Sequence, residues 1–393
     1  MKHAILILDG AAGWPLEQLG GATTLTAART PNLDALAQMG TVGLAQTVPE
    51  GLEPSSAAAC TAILGYDPAA NRVGRGAIEA ASMGITLAPD EVALRFNLVS
   101  IVDGVMSSYS CGRIDTLRSR AIVADLELEL SDDTFTFYPG VSYRHILVVK
   151  GHPELVDLAY TPPHDISDKP VTGEMPRGEG SMLLRDLMTR ARRVLATSAA
   201  NRAHEDLGEV VATDIWPFWP GTAPASLPSF AEKRGVRAAL TSGVDLLNGM
   251  AELFGIDRLT VAGVTDGSDN DYEAQIKAGL AALADHDLVV IHVEAPDEEG
   301  HAGDAAAKIA AIEAIDALMI SRLREQIADV RVLCMPDHPT PVDLKTHVGE
   351  AVPFVLAGPG VNHNGAAAYD EASATRTGLV LDPGYQVMDL LLA

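Results

Sequence analysis

The chain has 393 residues, of which 47% are apolar, 21% charged and 5% aromatic, a profile of a globular protein with material for two domains and not of a disordered or fibrous one. Asp and Glu number 53 against 28 Lys and Arg, a formal charge of −25, which excludes broad binding to nucleic acid or anionic membranes because a polyanion is repelled at long range. Three cysteines, Cys60, Cys111 and Cys334, are too few and too far apart for a disulfide framework, and no apolar run approaches the roughly 18 residues of a membrane span, so a cytoplasmic protein is expected.

Ala4 to Leu8 reads as a buried strand ending in Asp9-Gly10, not as a signal peptide, since an Asp follows at once and no small-residue cleavage site appears. Thr30-Pro31 opens a helix that closes at Met39-Gly40, with Thr30 as its cap. A strand is predicted over Gly43 to Val48, followed by a Pro, Gly and Ser-rich loop and a helix over Ala57 to Leu64. From about residue 86 the texture changes. A hairpin turns at Asp103-Gly104, a helix covers Asp115 to Leu130, two strands lie within Phe135 to Gly151, and a long helical run extends from Ser181 to Asp206. An irregular stretch containing Trp216-Pro217-Phe218-Trp219-Pro220-Gly221 follows. Strand and helix then alternate: strands at Ala238 to Leu240, Leu259 to Val261, Leu288 to Val293, Val330 to Cys334 and Pro353 to Ala357, with helices at Val244 to Leu253, Tyr272 to Leu283 and Ala305 to Leu323. The expected fold class is α/β, a discontinuous domain with a mainly parallel sheet covered by helices (1–85 and 186–393), interrupted by a smaller α+β cap (86–185).

Chemistry-bearing residues fall at strand ends. Asp9 ends the first strand, Ser56 opens a helix, Asp297 and His301 follow Leu288 to Val293, Asp337-His338 follow Val330 to Cys334, and His347 lies shortly beyond. In a parallel sheet the carboxyl ends share one edge, so residues remote in sequence can converge there. Three carboxylates and three imidazoles at one edge repel and desolvate one another unless cations sit between them, and a mixed oxygen and nitrogen donor set suits Mn or Zn better than Ca. Singly, each has a plain structural reading: Asp9 as a turn acid, Ser56 as an N-cap, Asp297 and His301 as a solvated loop. His3, His152, His204, His286, His292 and His363 read as surface or core histidines.

Asp9-Gly10, Thr30-Pro31-Asn32-Leu33-Asp34, Pro54-Ser55-Ser56 through Leu64-Gly65-Tyr66-Asp67-Pro68, Gly74-Arg75-Gly76, Pro296-Asp297 through His301, Asp337-His338 and Lys345-Thr346-His347 together resemble the archaeal-type, 2,3-bisphosphoglycerate-independent phosphoglycerate mutases of the alkaline phosphatase superfamily. The wording PDHPTPVDLKTH and the IWPFWPG stretch are similar to a bacterial subgroup also proposed to act as homoserine kinases. The resemblance implies an alkaline-phosphatase-like domain and two divalent metal ions, Mn first with Zn, Co or Mg as alternatives, and no need of 2,3-bisphosphoglycerate. It implies one metal on Asp297, His301 and His347 and the other on Asp9, Ser56, Asp337 and His338. Ser56 is then the nucleophile, taking phosphate from one hydroxyl of the substrate and returning it to the other.

Handling a small phosphorylated hydroxy acid calls for cationic clamps and a lid, and Arg75, Arg95, Arg113, Arg144 and Lys345 are the candidates, with His164-Asp165 as a further substrate-side pair. The archaeal enzymes usually carry an acidic residue directly after the nucleophile and a His three residues beyond it, where this chain has Ala57 and Cys60. That change leaves open a phosphotransferase acting on homoserine or another small hydroxy acid, a phosphatase, or a silent phosphometabolite-binding protein. No P-loop is present, which disfavours an ATP-dependent version. The sequence does not set the oligomeric state.

Overall fold

The computed structural model describes residues 1–71, 73–223 and 227–393. Its strands, in chain order, are β1 (Lys2–Leu8), β2 (Thr41–Ala45), β3 (Glu91–Val102), β4 (Val105–Ser108), β5 (Phe135–Val141), β6 (Arg144–Lys150), β7 (Asp214–Thr222), β8 (Ala238–Thr241), β9 (Asp257–Arg258), β10 (Leu288–Val293), β11 (Val330–Met335), β12 (Val352–Ala357) and β13 (Val380–Leu381). The chain divides into two compact units, Met1–Arg72 with Ser226–Ala393, and Val73–Ala225.

The first unit is built on one eight-stranded sheet, ordered β13-β2-β12-β11-β1-β10-β8-β9. Pairing is parallel from β11 through β1, β10 and β8 to β9, and β12 runs antiparallel to both β11 and β2. The central strands carry uninterrupted apolar runs, and Ala4 to Leu8 and Leu288 to Ile291 are wholly buried, as strands covered on both faces require. One face packs Leu6, Leu8, Val289 and Ile291 against Ile276, Ile312 and Ile315 of the flanking helices. The expected helix from Ala305 runs as Ala305–Ile315, a π segment Asp316–Ile320 and Ser321–Glu325. Asp316 accepts from the backbone N–H groups of Leu33 (2.8 Å) and Asn32 (3.1 Å), satisfying the start of helix Pro31–Met39, where Thr30 makes no side-chain capping bond.

The second unit holds an antiparallel sheet ordered β4-β3-β6-β5, with β7 also paired to β3. Helices Thr116–Leu130 and Ser181–Thr197 cover one face, burying Ile122, Leu126, Leu184 and Leu187 on Leu94, Phe96 and Leu98. Ala80, on helix Arg75–Ser82, packs against Ala93, Ile146 and Val148 on the other.

Several boundaries differ from the sequence reading for identifiable reasons. The second unit is wider than 86–185 because helix Arg75–Ser82 and β7 both pack on its sheet. The run Ser181 to Asp206 is two helices, broken at Ser198, whose hydroxyl caps the second through Asn201 N (3.0 Å). In place of a strand at Leu259 to Val261 there is only the two-residue β9. Asp297 and His301 are not on a loop: they lie one turn apart on helix Ala295–Ala302. Among the described residues no helix is long and apolar enough to cross a membrane.

Candidate active site

In the first unit β1 lies between β10 and β11, with Leu8 opposite Val293 and Ile7 opposite Met335, so three carboxyl ends finish side by side. An open parallel sheet holds its ligands at that edge. Asp9 follows β1, Asp337 and His338 follow β11, and the helix after β10 carries Asp297 and His301 on one face, four residues apart. Gly10 turns the chain with φ 59°, and a side chain there would collide with Asp297 Oδ1 and Thr340 Oγ1, so only glycine lets Asp297 approach. Its N–H donates to Asp337 Oδ1 (3.1 Å).

Three donor sets result among the described residues, each with one ligand atom per residue within 4.8 Å of the rest: Asp9, His292 and Glu294 form one, and two share His338, with Asp9 and Asp337 in the first and Asp297 and His347 in the second. His338 thus lies between both sets, although the resemblance gave it to the first alone. His301 adjoins the second: its Nε2 is 3.1 Å from Asp297 Oδ2 and 2.8 Å from His347 Nε2.

The hydrogen bonds behind these imidazoles fix their tautomers. His301 Nδ1 donates to the Lys345 carbonyl (3.0 Å), leaving Nε2 as a lone pair. Thr340 Oγ1 gives its proton to Asp297 and stands 3.3 Å from His338 Nδ1, so it accepts there and frees His338 Nε2 in the same way. Outer partners that aim Nε2 inward are what metal-binding histidines require. In the neutral rings nitrogen lone pairs face one another, and the wholly buried Asp9 Oδ1 has no hydrogen-bond partner among the described residues; both fit divalent cations held between them.

Ser55 and Ser56 have separate jobs. Ser55 is the N-cap of helix Ser56–Ile63, accepting from Ala58 N (3.3 Å), which leaves Ser56 Oγ 3.1 Å from His338 Nε2. The positive end of the helix lies at the Ser56 hydroxyl and favours negative charge on it. Cys60 is wholly buried one turn on, with Sγ 3.8 Å from Asp337 Oδ2, and burial plus that carboxylate raise its thiol well above the ordinary range.

Electrostatics show how unbalanced the bare cluster is. Burial, with Asp337 and Asp297 nearby, pushes the Asp9 carboxyl well up, and burial with Asp9 does the same to Glu294. Burial works in the same direction on Asp297, but hydrogen bonds from His301 and His347 win and hold it well below its usual range. In the bare cluster His301 Nε2 carries a proton in place of a cation and donates it to Asp297, which raises this imidazole to about 9.

Four participants lie outside the set of site residues read from the sequence. His292, inside the buried run of β10, donates Nε2–H to Asp9 Oδ2 (2.7 Å), because the Ser242 hydroxyl, itself accepting from Val244 N, has Nδ1 as its acceptor (3.0 Å). Glu294 lies 3.7 Å from the same Nε2. Thr340 links Asp297 to His338, and buried Lys308 ties the carbonyls of Ala12 (3.2 Å) and Thr340 (2.7 Å). A lone polar residue in a buried strand was the available clue to His292. Lys345 itself is turned away: Nζ donates to Ala302 O (3.1 Å), and its contribution is the carbonyl on His301.

In the second unit Arg75 and Arg95 meet at one carboxylate oxygen, Glu79 Oε1, at 2.9 and 3.1 Å. Arg144 is exposed on the face of the sheet shared with Arg95, since Ile146 stands opposite Arg95 and Arg144 is two residues from it. His164 is exposed with its ring edge-on to Trp219 (5.7 Å), and Asp165 is exposed 3.7 Å from its Nε2. Arg113, in a left-handed turn after β4 (φ 59°), joins neither the Glu79 pair nor the Trp219 ring.

A mainly parallel sheet that gathers carboxylates, imidazoles and a serine hydroxyl at one edge defines an α/β protein with donor sets able to hold divalent ions beside that hydroxyl. Comparison with known proteins makes this specific. Residues 37–201 match the family model described as 2,3-bisphosphoglycerate-independent phosphoglycerate mutase. A probable 2,3-bisphosphoglycerate-independent phosphoglycerate mutase of Geobacter sulfurreducens is 42% identical and one of Methanothrix thermoacetophila 43% identical, each over 100% of both chains. Among solved structures, the cofactor-independent phosphoglycerate mutase of Thermoplasma acidophilum superposes with a TM-score of 0.70 at 27% identity, covering 100% of this chain and 99% of its own. A Pyrococcus horikoshii protein reaches 0.84 at 25% identity, covering 100% and 96%. The chain belongs to the 2,3-bisphosphoglycerate-independent phosphoglycerate mutase family.

Proposed function

We propose that this protein is a metal-dependent phosphoglycerate mutase that interconverts 3-phosphoglycerate and 2-phosphoglycerate through a phosphoserine at Ser56. The observation that carries the reading is the Ser56 hydroxyl, freed from capping by Ser55 and held 3.1 Å from His338 Nε2 between the two donor sets. Asp9, Ser56, Asp337 and His338 would hold one divalent ion and Asp297, His301 and His347 the other, with Mn favoured by the mixed oxygen and nitrogen donors. Bound there, two dications acidify the serine hydroxyl and neutralise charge on the attacking and leaving oxygens.

The protein's own groups do the rest. Ser56 Oγ bonds to phosphorus as the ester bond to the C3 oxygen breaks, and in the net exchange its proton passes to that departing oxygen. In the return step the C2 hydroxyl bonds to phosphorus, the Ser56 ester bond breaks, and Ser56 regains a proton. His292 keeps the Asp9 carboxylate aimed, and Thr340 does so for Asp297 and His338. Arg75, Arg95 and Arg144 supply local positive charge in an acidic chain, with His164, Asp165 and Arg113 as further substrate-side candidates, while Lys345 acts through its carbonyl on His301.

A second reading, transfer to homoserine or another small hydroxy acid, is favoured by Ala57 and by Cys60 beside Asp337. The deciding experiment incubates protein loaded in turn with Mn, Zn, Co and Mg with 3-phosphoglycerate, beside a homoserine phosphorylation assay. The mutase reading expects 2-phosphoglycerate without free phosphate. Release of phosphate alone would make the protein a phosphatase, and phosphohomoserine alone would establish the second reading.

A further inference from the structure

Trp219 is held in a backbone conformation that its sequence neighbours do not explain. Along β3 and β7, Leu94 stands opposite Pro220 and Arg95 opposite Phe218, so Trp219 is an extra residue, a β-bulge. Its φ is 48°, a region that a bulky side chain occupies only at a cost of about 1–3 kcal/mol and that clusters at functional sites. Trp216 and Phe218 are fully buried in the core of this unit, whereas Trp219 is half-buried against its edge. What the bulge achieves is to lay the indole under the Arg75 guanidinium, whose Cζ is 3.9 Å from the ring centre, with Arg95 Cζ at 5.1 Å. Gly76 serves the same end: a side chain there would strike the carbonyls of Trp219 and Ala93, so glycine lets the start of the helix sit against the bulge.

The two guanidiniums are therefore pinned from two sides, by the ring and by the shared Glu79 oxygen. Donors remain. Arg95 is 7% exposed, and its Nε has no partner among the described residues. With Arg144 on the same face, three guanidiniums stand against one carboxylate, a net positive seat in an acidic protein.

We propose that Trp219 is a positioning residue that preorganises Arg75 and Arg95 as a fork for the carboxylate of a small phosphorylated acid. This rests on the mutase reading for the choice of anion: its substrate carries a carboxylate, which a planar guanidinium pair binds bidentately. An arginine held by stacking loses less freedom on binding than a free one, which is where the affinity arises.

The test is calorimetry on the metal-loaded full chain with two ligands, 3-phosphoglycerate and glycerol 3-phosphate, which lacks the carboxylate. Trp219→Leu is expected to weaken 3-phosphoglycerate about tenfold while glycerol 3-phosphate stays within about twofold, and Trp219→Phe, which keeps a ring, to stay within about threefold for both. Arg75→Lys, which keeps the charge and loses the fork, should show the same selective loss and gives a reading that does not depend on the bulge folding. Equal losses for both ligands, no loss in Trp219→Leu, or a Phe variant as weak as Leu would overturn the proposal. Wild-type protein that discriminates the two ligands yet makes no 2-phosphoglycerate would support the seat and refute the mutase reading.

Discussion

Thr340→Val removes one hydroxyl from the buried edge of the first unit and almost no volume. Thr340 Oγ1 donates to Asp297 and accepts from His338 Nδ1 at 3.3 Å, so the variant takes one donor from a buried carboxylate and leaves a buried imidazole N–H without its acceptor. A hydrogen bond to a charged group contributes about 1.5–3 kcal/mol, and an orphaned buried polar group costs about 1–3 kcal/mol. The Thr340 carbonyl still accepts from Lys308, so the main chain has reason to stay in place. Taking about 3 kcal/mol for the pair, divalent-ion affinity at the Asp297 and His338 set falls roughly 100-fold, at the upper end of what loss of an outer partner usually causes. Mn titration of metal-free protein by calorimetry, with melting curves at each metal concentration, measures this directly. Thr340→Ser keeps the hydroxyl and should remain within about threefold of wild type. A Val variant that binds two equivalents of Mn with wild-type affinity would refute the assignment of Thr340 as the link between the two sets.

Ser56→Ala should abolish phosphoryl transfer while retaining metal, whereas Ser55→Ala should keep turnover and lose about 1 kcal/mol of stability through its cap, read as a lower melting temperature. Activity surviving in Ser56→Ala would move the nucleophile to Ser55 or Thr61. His301→Ala should bring bound metal, measured by elemental analysis, from two equivalents toward one, and unchanged stoichiometry would contradict its place beside Asp297. In the second unit, burial, with Arg120 and Arg95 nearby, holds His145 down to about 3, from an ordinary 6.5. The unfolded chain therefore takes up this proton first, so the stabilisation is whole above about pH 6.5 and is lost on acidification toward pH 3 at up to about 1.4 kcal/mol per pH unit. His145→Gln lacks that slope, and between pH 7 and pH 5 wild type should lose about 2 kcal/mol more than the variant in urea unfolding; equal losses would show that His145 is not held neutral.

The residues that the sequence exposes most readily are those that break an apolar strand at its end. Asp9, Asp297, Asp337 and His338 interrupt buried runs, and parallel pairing of β1 with β10 and β11 then brings them together. His292 escapes that test because it lies within a buried strand, where one polar residue reads as a satisfied core histidine. Thr340 escapes because its partner Asp297 is 43 residues away, a distance that no local pattern spans. β7 is obscured by Pro217 and Pro220, which mark a run as irregular. Among the described residues it pairs only with β3, and an edge strand tolerates residues that cannot donate to a ladder. The bulge at Trp219 sits between those prolines, which is why the aromatic clamp on Arg75 is invisible until the register is known. The wider second unit has the same origin, since β7 pairs with β3 across more than a hundred residues and helix Arg75–Ser82 packs on both strands.

The central claim is that Ser56 carries the phosphoryl group between two hydroxyls of one substrate. Metal-loaded protein mixed with 3-phosphoglycerate, quenched in acid within milliseconds and mapped by peptide mass spectrometry tests it most directly. The prediction is phosphate on Ser56 that appears before 2-phosphoglycerate accumulates and is absent from Ser56→Ala. Formation of 2-phosphoglycerate with Ser56 unmodified at every time point, or phosphate on Ser55 or Thr61 instead, would contradict it.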